Sequence, residues 1–382
     1  MARIRVLVVD DSVVIRKLLA ETLSEVPEIE VVASASDGRI ALAKIAQLRP
    51  DLVTLDIEMP VMNGLETLAE IRKLDPKLPV IMFSTLTGHG AVATLEALSL
   101  GASDYATKPG YMGGSEEAMA AIRAELVPKI KALCAGSVPR LKSLPPPRLA
   151  TRAPIPRNRR IEIVAIGTST GGPNALAEVL PFIPEDFPVP IVVVQHMPPI
   201  FTRLLAERLA SRSTISVQEG VEGAILTAGR SWIAPGNFHM KVKRVGLAWH
   251  LELNQEAQEN SCRPSVDVLF RSVAVAYGAN VLGVVMTGMG SDGVIGAQHI
   301  RAAGGEVIIQ DEASSVIWGM PGLVYAAGQA DGIYPLNQLV PEIIRRLLPS
   351  RPQPVTLASR TVSGPANGPA ASNLDALEAR TK

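Results

Sequence analysis

Three carboxylates and one glycine-rich loop hold most of the chemistry that this sequence could perform. Asp10 and Asp11 follow the apolar run IRVLVV, and Asp56 closes the run DLVTLD. Carboxylates that meet at the carboxyl edge of a parallel sheet repel one another unless a cation joins them, and hard oxygen donors of this kind suit Mg2+. Ser84 closes a further run, PVIMFS. Lys108 precedes Pro109 just beyond SDYAT, from where an ammonium reaches the same edge. A single strand-end Asp is ordinarily a helix cap or a solvated loop residue, so the set rather than any one member points to a pocket.

The segment VAIGTSTGGPNAL puts Gly167, Ser169 and Gly171 in a G-x-S-x-G pattern between an apolar run and an amphipathic one, the setting of a nucleophile elbow. Glycines let the backbone turn sharply, and a helix N-terminus offers unpaired N–H groups to a developing oxyanion. A phosphate-binding loop is the competing reading, although the segment has neither G-x-x-x-x-G-K followed by Ser or Thr nor G-x-G-x-x-G. A serine nucleophile needs an imidazole base and a carboxylate to orient it. Of the five histidines, His196 ends PIVVVQH and so falls at the same sheet edge; His239 in APGNFHM is its rival, while His89, His250 and His299 lack such a placement. Asp292 in VVMTGMGSDG follows another apolar run, with Asp267 and Asp311 as alternatives. The chain order Ser, His, Asp departs from the Ser, Asp, His order of α/β-hydrolases.

These residues require elements that bring them to sheet edges. Between residues 4 and 134, β-branched runs alternate with the amphipathic stretches SVVIRKLLAETLSEV, ALAKIAQL and GLETLAEIRKL, a βα pattern that predicts a parallel sheet covered on both faces. Residues 135–160 are rich in Pro and Arg without periodicity and read as a semi-rigid linker. A second βα region, residues 161–348, begins at IEIVAIG and continues through PIVVVQH, NVLGVVMT and EVIIQD; within it, ISVQEG, SWIAPG, FHMKV and LAWHLEL read as short strands and suggest a β-hairpin extension. Residues 349–382 are rich in Pro, Ala, Ser and Gly, too poor in large apolar side chains to bury a core, and are expected to be disordered. The predicted fold class is α/β, with two doubly wound parallel-sheet domains, the first flavodoxin-like.

Composition removes several function classes. Thirty-seven basic residues balance 37 acidic ones, so bulk charge recruits neither nucleic acid nor an anionic membrane. The two cysteines, Cys134 and Cys262, lack metal-ligand spacing, which argues against a disulfide framework or a zinc site and for reduced cytoplasm. The N-terminus lacks the apolar region and cleavage site of a signal peptide. No apolar run approaches the ~20 residues that span a bilayer.

In order and spacing, VVDDS, LDIEMPVMNG, FST and TKPG resemble a response-regulator receiver domain across nearly all of residues 1–130. That resemblance implies that Asp56 accepts a phosphoryl group, that Asp10 and Asp11 help it to hold Mg2+, and that Ser84 and Lys108 contact the phosphoryl oxygens, with Tyr105 as the aromatic member of the switch. GTSTGG, VVVQHMP, IAPGNFHM, CRPSVDVLF and MTGMGSDG resemble the catalytic domain of the chemotaxis protein-glutamate methylesterases across about residues 160–348. The resemblance makes Ser169 the nucleophile, His196 the base, Asp292 its orienting partner, and the N–H groups of Thr170 and Met289 the oxyanion donors. It implies methyl-accepting chemoreceptors as substrates, deamidation of receptor glutamines through the same acyl-enzyme, a chemotaxis-type histidine kinase as phosphodonor, and a receiver that blocks the active site until phosphorylated. Thr168 departs from the alanine expected at that position. A DNA-binding response regulator and a catalytically inert receptor scaffold are the rival readings; the first lacks a visible helix-turn-helix, and the second must explain why all three catalytic positions are intact.

Overall fold

A computed structural model describes residues 3–85, 87–109, 115–134 and 160–347. The linker expected at 135–160, except Arg160, and the tail expected at 349–382 lie outside the described residues. In the first part, β1 (Ile4–Val9), α1 (Val13–Ser24), β2 (Ile29–Ala35), α2 (Gly38–Leu48), β3 (Leu52–Asp56), α3 (Gly64–Leu74), β4 (Val80–Ser84), α4 (Gly88–Ser99), β5 (Asp104–Thr107) and α5 (Ser115–Leu133) alternate. Helix starts follow local polar signals: Ser12 and Asp37 cap α1 and α2, and Asn63 with Glu66 forms a reciprocal capping box on α3. The strands pair in parallel in the order β2-β1-β3-β4-β5. The chain winds both ways from β1, so the crevice between β1 and β3 opens beside Asp10 and Asp56.

The second part continues with β6 (Ile163–Thr168), α6 (Gly172–Val179), β7 (Ile191–Gln195), α7 (Phe201–Ala210), β8 (Ser216–Glu219), β9 (Arg230–Ile233), β10 (His239–Val245), β11 (Ala248–Asn254), α8 (Val266–Tyr277), β12 (Val281–Val285), α9 (Val294–Ala302), β13 (Glu306–Gln310), α10 (Met320–Ala326), β14 (Gly332–Tyr334) and α11 (Leu336–Leu347). Seven strands form a parallel sheet ordered β14-β13-β12-β6-β7-β9-β8. After β6 the chain builds one side and then crosses back to β12 on the other. The switch point therefore lies next to β6, with the ends of β12, β6 and β7 side by side.

Only β10 and β11 form the expected antiparallel hairpin. The two preceding strands, β8 and β9, instead pair with each other in parallel and extend the main sheet. Short strands between glycine turns look the same in both arrangements; here Leu226 N–H donates to Trp249 O and Leu251 N–H to Ala224 O, so the β8–β9 connection packs on the hairpin and not between the two strands it joins.

The two sheets share a core. One buried apolar cluster runs from Leu55, Leu98 and Tyr105 to Leu176, Phe201 and Leu205. Across this boundary the Tyr105 ring stacks on Phe201, with centroids 5.0 Å apart and planes 10° from parallel. Asn174 Nδ2 donates to Leu98 O at 2.7 Å, and Arg208 Nη1 donates to Leu95 O at 2.6 Å. The carboxyl-terminal half of α4 is thus held against α6 and α7.

Candidate active site and acidic pocket

At the edge of the first sheet, Asp10 and Asp56 are buried and Asp11 is exposed, and oxygens of all three lie within 4.8 Å of one another. Lys108 Nζ bridges the two buried carboxylates, at 2.8 Å from Asp10 Oδ2 and 2.8 Å from Asp56 Oδ1. Burial, reinforced by the neighbouring Asp10 charge and only partly offset by Lys108, pushes the Asp56 carboxyl up to about 6. Burial raises Asp10 as well. Two buried carboxylates sharing one ammonium make a site in which a divalent cation relieves repulsion, and an all-oxygen donor set fits Mg2+. Ser84, at the end of β4, donates its hydroxyl to Gly90 O at 3.2 Å. Tyr105 is buried at the boundary between the sheets, not in the acidic pocket.

In the second sheet the three candidate catalytic segments leave adjacent strands: Ser169 after β6, His196 after β7, and Asp292 in the loop after β12. Gly171, at φ 77°, takes the left-handed conformation that turns the chain from β6 into α6. Gly288 lets the β12 loop pass close by, since a Cβ there would lie 2.8 Å from Ser169 Cβ. His196 Nε2 donates to Asp292 Oδ2 at 2.8 Å. Ser169, His196, Cys262 and Met289 line one cleft of about 730 Å3, and Asp104 and Tyr105 of the first domain line it as well. Ser169 Oγ and the imidazole are not hydrogen-bonded to each other; such bonds are often long in a substrate-free site and tighten when substrate binds. The N–H groups of Thr170 and Met289 donate to no other described residue.

The Asp292 carboxylate is tightly held. Oδ2 also accepts from Val266 N–H at 2.6 Å, and Oδ1 accepts from Asn260 Nδ2 at 3.0 Å, Ser265 Oγ at 2.8 Å and Asp267 N–H at 2.9 Å. Val266 and Asp267 open α8, so the anion also meets the positive end of a helix dipole. Burial opposes its charge, but the bond to His196 and these backbone donors outweigh burial and hold its pKa below the usual carboxylate range. For His196, burial alone would lower the pKa; the hydrogen bonds to Asp292 and then to Cys262 override it, and the imidazole titrates above its ordinary range.

The rivals occupy other roles. His239 is buried at the start of β10 with Nε2 at 3.0 Å from Ala257 O. Asp267 Oδ1 accepts from Gly293 and Gly296 N–H, which fixes the loop that carries Asp292, while Asp311 caps the turn at Ser314.

Thr287 had no sequence signal of its own, yet it clamps the elbow. Its carbonyl accepts from Ser169 N–H at 3.0 Å and from Thr168 Oγ1 at 2.9 Å, and its hydroxyl donates to Thr170 O at 2.9 Å. The departure at Thr168 therefore adds a buried hydrogen bond that alanine could not make. Gln195 Nε2, donating to Ser169 O at 3.0 Å, was missed for the same reason. Its position beside His196 at the end of β7 was the only available hint.

Residues 164–343 match the family model described as CheB methylesterase, and residues 6–120 match that of the response regulator receiver domain. The chain is 53% identical to a protein-glutamate methylesterase/protein-glutamine glutaminase of Trichodesmium erythraeum, over 91% of this chain and 100% of the relative. It is 50% identical to a protein of the same name from a Nocardioides species, over 92% of this chain and 98% of the relative. Among solved structures it is similar to the Thermotoga maritima CheB methylesterase catalytic domain, at 40% identity over 48% of this chain and 98% of that one, with a TM-score of 0.48. Identities of 53% and 50% over more than nine tenths of this chain, with both family models matched, place it in one family: it belongs to the protein-glutamate methylesterase/protein-glutamine glutaminase response regulators.

Proposed function

We propose that this chain is a phosphorylation-activated serine hydrolase of the cytoplasm that removes methyl groups from glutamate methyl esters of methyl-accepting chemoreceptors and deamidates receptor glutamines. The observation that carries the reading is one cleft lined by Ser169, by His196 with its ring bound to Asp292, and by Asp104 and Tyr105 of the receiver. Because Nε2 is committed to Asp292, Nδ1 is the nitrogen left to take the Ser169 proton during attack. The tetrahedral oxyanion is met by the N–H groups of Thr170 and Met289. Methanol, or ammonia from glutamine, leaves with the proton that His196 returns, and water activated by the same imidazole releases glutamate.

In the receiver, a chemotaxis-type histidine kinase is the phosphodonor and Asp56 the acceptor. Asp10, Asp11 and Asp56 would hold Mg2+, which supplies charge neutralisation for phosphoryl transfer when bound, and Lys108 pairs with the modified carboxylate. Thr170 Oγ1 donates to Asp104 Oδ2 at 2.9 Å, so the receiver grips the residue next to the nucleophile. A phosphoryl group that rearranges β4 and α4 would loosen this face, and it can shift the equilibrium only by its differential affinity for the docked and undocked arrangements.

Two results test this account. Replacing both Asn174 and Arg208 with alanine removes the two hydrogen bonds onto the α4 carbonyls. At about 1 kcal/mol net for each bond, with 1.4 kcal/mol per tenfold, the unphosphorylated rate of methanol release should rise ten- to thirtyfold. The rate with a small-molecule phosphodonor should change far less, and Asp56→Asn should remain slow with or without it. An unchanged basal rate in the double variant would dismiss receiver docking as the brake.

The second result is a pH profile. Catalysis needs neutral His196, and its pKa is raised, so activity should climb as pH rises through a midpoint above the ordinary imidazole value of about 6.5. Asp292→Asn removes the anion that favours the imidazolium and should move that limb to lower pH. A wild-type midpoint at or below 6.5 would show that the bonds to His196 do not outweigh the burial of its ring.

A further inference from the structure

Cys262 takes no part in the hydrolysis just described, yet its thiol faces the base. Cys262 Sγ lies 3.6 Å from His196 Nδ1, on the side of the ring away from Asp292. A Zn2+ ion with Zn–S of about 2.3 Å and Zn–N of about 2.0 Å at a tetrahedral angle separates sulfur and nitrogen by about 3.5 Å. The observed separation therefore admits an ion between the two atoms without movement of either. The opposite side of the ring is also arranged as zinc-bound imidazoles require: Nε2–H donates to a carboxylate, which fixes the tautomer and leaves the Nδ1 lone pair for the metal.

The thiol is held in place. Cys262 and Glu259 exchange both backbone hydrogen bonds, at 2.9 and 3.1 Å, across a two-residue turn in which Asn260 and Ser261 both have positive φ, the geometry of a tight type I′ turn. Arg271 grips Glu259 through two short bonds of 2.5 and 2.6 Å. Asn260 Nδ2 donates to Asp267 at 2.9 Å and to Asp292 at 3.0 Å. The turn that carries the sulfur is thus tied to the carboxylate that orients the imidazole, so donor and ring keep their separation. Linear spacing gave no hint of this pair, since the two residues stand 66 positions apart and meet only in the fold.

We propose that Cys262 Sγ and His196 Nδ1 form a binding site for a borderline-soft divalent cation, best matched by Zn2+, and that the bound ion switches the hydrolase off. The inhibition rests on the reading of His196 as the base; the site itself does not. On binding, the thiol proton leaves to solvent and a Zn–S bond forms. The ion also takes the Nδ1 lone pair, the same pair that must accept the Ser169 proton, so metal binding and general-base catalysis exclude each other. Two protein donors leave the remaining positions to water in an open cleft, so the ion is exchangeable rather than structural. Hard Mg2+ prefers the oxygen pocket of the receiver and competes poorly for sulfur and nitrogen. The receiver and the hydrolase therefore answer to different cations.

The test uses the full chain with Mg2+ and a small-molecule phosphodonor in thiol-free buffer, with methanol release followed as Zn2+ is added. Wild type should lose its activity and regain it on addition of a chelator selective for Zn2+ over Mg2+. Cys262→Ser, measured against its own metal-free rate, should require about tenfold more Zn2+ or beyond for half inhibition. Cys262→Ala gives the same comparison without a hydroxyl against the imidazole. In parallel, Co2+ added to wild type should produce a near-ultraviolet thiolate-to-metal absorption that both variants lack. Equal Zn2+ sensitivity of wild type and variants would overturn the proposal and point to the receiver carboxylates, which all three proteins retain. Absence of the absorption in wild type would also overturn it. Absorption with undiminished hydrolysis would leave the metal site standing and remove Nδ1 of His196 from its role as base.

Discussion

Ser169→Ala should lower methanol release from methylated receptor by about 10^5- to 10^6-fold, because triad members act as a unit and loss of the attacking atom removes nearly all that they contribute together. The proposed oxyanion donors would remain, since Thr170 and Met289 would contribute through backbone N–H groups. The fold should barely change. Alanine keeps the Cβ that already packs beside Gly288, and the Ser169 N–H and C=O remain tied to Thr287 and Gln195. Thermal unfolding should therefore stay within about 0.5 kcal/mol of wild type. A variant that folds normally and retains even a tenth of the wild-type rate would remove Ser169 from the nucleophile's place and reopen the phosphate-loop reading of this turn.

Asp292→Asn should cost about 10^4-fold in kcat, the scale seen when a triad carboxylate is replaced by its amide and the imidazole is left in the wrong tautomer. The mechanism here is specific. Asp292 receives five hydrogen bonds from His196, Val266, Asn260, Ser265 and Asp267. An amide brings its own N–H donors into a ring of donors, so one pair must face each other, and a loss of stability of about 1–3 kcal/mol should accompany the kinetic defect. Kinetics and melting should be measured on the same samples. His239→Gln separates the alternatives: His239 Nε2 serves the Ala257 carbonyl, so that change should touch stability far more than kcat. A large fall in kcat for His239→Gln, beside a modest one for Asp292→Asn, would transfer the base assignment to the other histidine.

The strands were legible because both sheets are parallel and covered on both faces, which makes their sequences near-continuous apolar runs such as IRVLVV and PIVVVQH. Polar residues that close those runs fall at one edge of the sheet, which is why Asp10, Asp56 and His196 could be placed there from position, whereas Ser169 was marked by its G-x-S-x-G turn. What escaped was set by contacts distant in sequence. β8 and β9 read as members of a hairpin because alternation and glycine turns carry no information on strand direction. The supports of the elbow were invisible for a related reason: Thr287 and Gln195 are ordinary residue types whose roles depend on β12, β6 and β7 lying side by side, and strand order is not written in any one segment. Cys262 is the clearest case. Its chemistry depends on a histidine 66 residues away, and spacing rules see only neighbours.

The stacked pair Tyr105 and Phe201, buried in a core common to both sheets, also bears on how the molecule melts. Domains joined by a wet polar seam denature independently, whereas domains that share an apolar interior lend each other stability, and neither can open without exposing the other's surface. A scanning calorimeter should therefore record a single endotherm for the unmodified chain. If phosphorylation undocks the receiver as proposed, the two rings part and the endotherm should resolve into two, and the heat signature of the separated halves would report the conformational state of the molecule without any substrate present.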